Sequence, residues 1–169
     1  NSNYNNFSNS IDTSTSAPAI YIYSSSYNNI INSSGIASSD AGINIYNVSY
    51  NSISNSIGTS TSGMGIYFNL VSYSNITNSS GLSSSDHGIY FYNSSYNIIN
   101  NTNGSSGINS IGLVIDYYSA GNIIDSSRFN TSNSITMRID QFSSNNYIVN
   151  SNITSAGWMG LTIERGSYG

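Results

Sequence analysis

Three carboxylates recur at a fixed interval late in the chain: Asp116, Asp140 and Glu164, each 24 residues from the next. If one interval is one turn of a repeating fold, neighbouring acids lie about 5 Å apart, close to the separation of a retaining glycosidase pair. Repulsion within such a row raises the pKa of at least one member, as a general acid requires. Arg138 falls in the adjacent column and can neutralise the acids. The same row could instead hold calcium through its oxygens or be plain surface charge. Structural or surface charge is the reading adopted, because no local catalytic motif accompanies the three. His87 with Asp86, and Asp40 46 residues before Asp86, are read as corner residues.

The tyrosines offer a different chemistry. Tyr21, Tyr67 and Tyr90 fall in one column, and Tyr23, Tyr46 and Tyr92 in a parallel one. Facing outward, they would present rigid apolar area with a hydroxyl at the edge, suited to a sugar ring or another protein. The alternative is that stacked rings only stabilise the strands that carry them. A further column, Tyr4, Tyr27, Tyr50, Tyr73 and Tyr96, runs at intervals of 23. Ten N-x-S/T sequons begin at Asn6, Asn32, Asn47, Asn75, Asn78, Asn93, Asn100, Asn103, Asn130 and Asn152. Asn47 and Asn93 follow outward tyrosines and are the better glycosylation candidates.

Something regular must hold these columns. The first apolar residue of a recurring segment falls at Ile20, Ile43, Ile66, Ile89, Leu113, Met137 and Leu161, with spacings of 23, 23, 23, 24, 24 and 24. Within each segment apolar residues alternate at period two, the mark of a strand with one buried face. A second short strand is placed at Ile30, Ile53, Ile76, Ile99 and Ile123, slipping to Ile148. A third apolar point appears at Ile36, Leu82, Phe129 and Ile153. Such short strands cannot bury their own apolar faces and must stack, which implies an all-β parallel β-helix of about seven coils. Asn9, Asn32, Asn55, Asn78 and Asn101, at intervals of 23, are expected to form an inward-facing ladder at the corners. That would bury the sequons at Asn32 and Asn78.

Composition narrows the function. Only 6% of residues are charged, lysine is absent, and the formal net charge is -4. Three arginines are too few to release the counterions of a nucleic acid. No cysteine is present, which removes disulfides and zinc–thiolate sites. No run approaches 18 apolar residues, so no membrane-inserted segment is expected. Serine and asparagine supply 68 of 169 residues, a bias that suggests disorder. The 25 isoleucines and 15 tyrosines, set at regular intervals, argue for a packed core instead. The whole chain, 1–169, reads as one domain, expected to be a segment of a longer chain or a stacking subunit.

The stretches AIYIYSSSYNNIINSS (19–34) and GIYFYNSSYNIINNT (88–102) resemble right-handed parallel β-helix repeats of the NosD-like and pectate-lyase-like superfamily, most of all those of archaeal cell-surface proteins. The resemblance implies a right-handed solenoid and an extracellular or cell-surface setting. It also implies a structural or adhesive role as a filament or layer component, with itself, neighbouring surface proteins or glycans as partners. The runner-up it implies is a carbohydrate-binding or polysaccharide-degrading β-helix, a hydrolase, lyase or phage-type tailspike. In that reading Asp116, Asp140, Glu164 and Arg138 would do the chemistry. No cofactor is expected beyond the calcium alternative. Catalysis is disfavoured because repeats of 23 or 24 residues leave no long loops to wall a groove.

Overall fold

A computed structural model describes residues 3–166. The chain winds into seven coils, each contributing one strand to each of three parallel seven-stranded sheets. The first sheet runs from Asn6–Ser8 to Tyr147–Val149, the second from Ile11–Ser14 to Asn152–Ser155, and the third from Ile20–Tyr23 to Leu161–Ile163. The result is an all-β right-handed parallel β-helix. The third sheet is the segment identified by its period. Its register pairs Ile20 with Ile43, Ile43 with Ile66, Ile66 with Ile89, Ile89 with Leu113, Leu113 with Met137 and Met137 with Leu161.

Alternation explains the core. Ile43, Ile45, Ile66, Phe68, Ile89 and Phe91 are fully buried, and Phe68 stacks on Phe91 at 4.9 Å between ring centroids. The first sheet adds Ile30, Ile53, Ile76, Ile99 and Ile124. Here the sequence reading slipped by one residue: Ile99 pairs with Ile124, and Ile123 pairs with Ile98 on the outside. The strand carries two adjacent isoleucines in both coils, so composition alone cannot choose between them.

The second sheet departs further. Ile36 and Leu82 point outward, while the inward column is Gly35, Gly58, Gly81 and Gly104, then Phe129 and Ile153. A Cβ on Gly58 would sit 2.2 Å from the Gly65 carbonyl oxygen and 2.9 Å from Ile66 Cγ1. The second and third sheets pinch together there, and only glycine fits.

The remaining lumen is lined by polar ladders. The backbone N–H groups of Asn28, Asn51, Ser74, Asn97 and Asn122 each donate to the side-chain oxygen of Asn51, Ser74, Asn97, Asn122 and Asn146 one coil on, at 2.7–3.0 Å. A hydroxyl ladder does the same through Ser33, Ser56, Ser79, Thr102 and Ser127. These turn residues need partners because no strand neighbour takes their N–H groups. The column at Asn9, Asn32, Asn55, Asn78 and Asn101 is not the inward ladder. All five have positive φ, 46–54°, and their side chains are exposed. Asn32 donates to Asn9 at 3.3 Å and Asn101 to Asn78 at 2.8 Å, so part of an outer amide ladder exists.

Candidate functional site

Strand alternation carries the tyrosines to the outer face of the third sheet. Tyr23 stacks on Tyr46 and Tyr67 on Tyr90, both at 5.4 Å, and Tyr21 lies against Tyr23 at 5.9 Å. Tyr90 and Tyr92 meet edge to face. Asn69 donates to the Tyr67 hydroxyl at 2.9 Å. Burial, with Tyr92 and other neighbouring groups adding, pushes the Tyr67 phenol up to about 12. Tyr90 is raised further by burial and by the Asp116 carboxylate, to which its hydroxyl donates at 2.9 Å. The Tyr67 and Tyr90 phenols are therefore neutral near neutral pH.

The longer aromatic column sits at a corner. Tyr4, Tyr27, Tyr50, Tyr73 and Tyr96 stack continuously at 4.9–5.3 Å, within 13° of parallel. All five adopt left-handed backbone with φ of 51–63°, costly for a bulky side chain. In the next two coils the position passes to Gly121 and Asn145, at φ 67° and 52°. A Cβ on Gly121 would touch the Tyr96 ring at 2.7 Å, so the glycine ends the ladder by lying against its last ring. Face-to-face packing has a chemical consequence. The ring faces cover one another, and solvent meets the ring edges and a row of hydroxyls about 5 Å apart. A sugar cannot stack on such a column from the side.

The acids take the columns their spacing implies but not the exposure. Asp116 and Asp140 are 4% and 2% exposed, so the expected surface row is buried at these two positions. Asp116 accepts from Tyr90 Oη at 2.9 Å, Gln141 Nε2 at 3.3 Å and the Tyr117 N–H at 2.8 Å. Asp140 accepts from the Gln141 N–H at 2.7 Å. Arg138 Nε and Arg165 Nε approach Asp140 at 3.8 and 3.7 Å, close enough for ion pairing. Glu164 is half-buried and makes no ion pair among the described residues. Among those residues, no three of His, Cys, Asp and Glu group so as to hold a metal ion. The two aspartates act on backbone: each carboxylate takes the N–H of the following residue, which turns a left-handed corner.

Two insertions frame this cluster. One lengthens the corner before the strand Leu113–Asp116, where Ile111 and Ile135 cover Val114 on the outside, with Tyr90 against them. The other adds Tyr118, whose ring stacks on Phe142 at 5.5 Å beside the Tyr92–Tyr117 stack at 4.8 Å. His87 belongs to the first corner. Its Nδ1 accepts the Ile111 N–H at 3.2 Å, and Nε2 lies 3.7 Å from Asp86. Burial lowers its pKa despite Asp86. Sequence reasoning missed the Ile111–Val114–Ile135 cluster and the Tyr117–Tyr118–Phe142 aromatics. The change from 23- to 24-residue spacing was their only visible signal.

Asn47 and Asn93 have left-handed backbone, with φ 54° and 45°; Asn93 is a bend just past the strand Ile89–Tyr92, whereas Asn47 breaks the strand Ile43–Ser49 from within. A cavity of about 590 Å³ lies at the first coil, lined by Phe7, Asp12, Ile20, Tyr21, Tyr23 and Ile30 among others. It lies far along the helix axis from the charged cluster. Comparison of the chain with protein-family models, with curated proteins and with solved structures finds no match.

Proposed function

We propose that this solenoid is a structural or adhesive module of an extracellular surface protein, layer or fibre. Its contact surface is the outer face of the third sheet, with Tyr21, Tyr23, Tyr46, Tyr67, Tyr90 and Tyr92. The observation that carries the reading is the arrangement of the aromatics: edge-exposed stacked rings on a flat, almost uncharged surface. Such a surface has hydroxyls and ring edges to offer a second flat surface, bordered at the first coil by the cavity beside Tyr21 and Tyr23. The buried acids support the same reading: Asp116 holds Tyr90, Gln141 and a corner N–H, and Asp140 holds a corner N–H beside two arginines. Partners of matching chemistry are neighbouring copies, other surface proteins, or polysaccharide lying flat.

The test is adsorption of the purified chain to insoluble polysaccharide and to itself, by co-sedimentation and analytical ultracentrifugation. Replacing Tyr21, Tyr23 and Tyr67 together by serine should abolish adsorption or self-association while the far-ultraviolet circular dichroism is kept. Binding unchanged by these substitutions would sink the assignment of the face. Polysaccharide turnover lost in Asp140→Asn would replace the structural reading with the enzymatic one.

A further inference from the structure

We infer that Asn32, Asn47, Asn78 and Asn93 are N-glycosylation sites, in two columns, one just past the first-sheet strands and one at the ends of the outward tyrosine strands of the third sheet. The inference rests on the extracellular reading and adds a modification to it. Four of the ten sequon asparagines, these four, have left-handed backbone, with φ of 49, 54, 49 and 45°. The other six lie in strands without positive φ; Asn47 also falls within a strand, Ile43–Ser49, but at a left-handed break that the register passes over between Tyr46 and Val48. A strand asparagine must leave its sheet to enter a transferase site, whereas a bend already projects the amide from the convex edge.

Their distribution is the second observation. In the corner column Asn9, Asn32, Asn55, Asn78 and Asn101, the hydroxyl needed two residues on is present only as Ser34 and Ser80; elsewhere it is Ile11, Ile57 and Asn103. In the other column Ser24 and Leu70 precede Asn47 and Asn93, and Tyr117 follows. Sequons therefore recur at every second coil in each column. Adjacent coils are about 4.8 Å apart, narrower than an oligosaccharide, and the two-coil gap doubles that room. The amides are able to react. Asn78 uses only Oδ1, toward Asn101, and the Asn93 amide makes no side-chain hydrogen bond among the described residues. Asn32 and Asn47 donate one N–H each, to Asn9 and Ser24, and a glycosylated amide keeps one N–H. In the reaction Nδ2 bonds to the anomeric carbon of a polyprenyl-diphosphate-linked oligosaccharide. The sugar–phosphate C–O bond breaks, the polyprenyl diphosphate departs with that electron pair, and one amide proton passes to the transferase base.

The folded, unmodified chain would be treated with a single-subunit oligosaccharyltransferase that accepts proteolytic peptides of this chain, plus that lipid-linked donor. Sites would be mapped by mass spectrometry. Asn32, Asn47, Asn78 and Asn93 should be occupied roughly tenfold more than Asn75, Asn103, Asn130 and Asn152, whose strands must open first. In the Asn47→Gln, Asn93→Gln double variant, two of the four glycans should disappear and two remain. Even occupancy of strand and bend sites, or none on the folded chain, overturns the inference. The adsorption experiment judges the functional reading separately.

Discussion

Asn97 shows how one side chain keeps a turn of the solenoid paired. Its Oδ1 takes the Ser74 N–H at 2.9 Å, and its Nδ2 donates to the Val71 carbonyl at 3.0 Å. In Asn97→Ala the Ser74 N–H stays buried and unpaired, at about 1–3 kcal/mol. Urea denaturation should show that loss, and Asn97→Ser should recover part of it, because Ser74 fills the same role toward Asn51. His87 adds a pH dependence. Burial depresses its folded pKa below the ordinary 6.5, with Asp86 opposing and Arg138 assisting. The unfolded chain thus takes up the proton first as pH falls. The neutral imidazole's contribution is complete above the unfolded value and is lost as pH falls through the folded one. Protonation also removes the acceptor for the Ile111 N–H. Thermal melts in mildly acidic and neutral buffer should differ more for the native chain than for His87→Asn; equal differences would remove His87 as the cause.

Among the elements, the corner tyrosine ladder sets two effects against each other. Left-handed backbone costs an L-residue roughly 1–2 kcal/mol, while each stacked pair returns about 0.5–1.5 kcal/mol. Tyr50 has a ring on each side, Tyr27 at 5.1 Å and Tyr73 at 5.3 Å, so stacking should prevail. Tyr50→Ser loses both stacks and keeps most of the backbone cost, whereas Tyr50→Gly loses the stacks but sheds it. Denaturation midpoints should rank the native chain first, glycine second and serine last; a glycine variant above the native chain would show the ladder to be a net liability kept for contact. The sequence made the third sheet legible because Ile20, Ile43, Ile66 and Ile89 leave no second choice of inward residue. It left the corners illegible, since alternation fails at a left-handed residue and spacing does not say which way Asn32 points. The acid columns at Asp116 and Asp140 were legible as columns. Their burial was not, because it depends on how Tyr90, Gln141, Arg138 and Arg165 fold over them.

For the molecule as a whole, stability is a sum over coils and their interfaces. Ile66 is fully buried in the third coil of its sheet, and Ile66→Asp places an unpaired carboxylate there. Hydrogen exchange should lose protection in the coils on both sides, and loss confined to residues 66–88 would contradict that coupling. The 23-residue register of the first coils, from Ile20 to Ile89, also makes height a quantity that can be edited. Deleting 43–88, two full coils, would join Gly42 to Ile89 and set Asn28 against Asn97, Gly35 against Gly104 and Tyr27 against Tyr96. Each new pair repeats one already present, in kind, between neighbouring coils. The shortened chain should fold, about 9.6 Å lower by scattering. An in-frame gain or loss of such units would change the length of the solenoid while every face kept its chemistry, so length and surface can evolve independently.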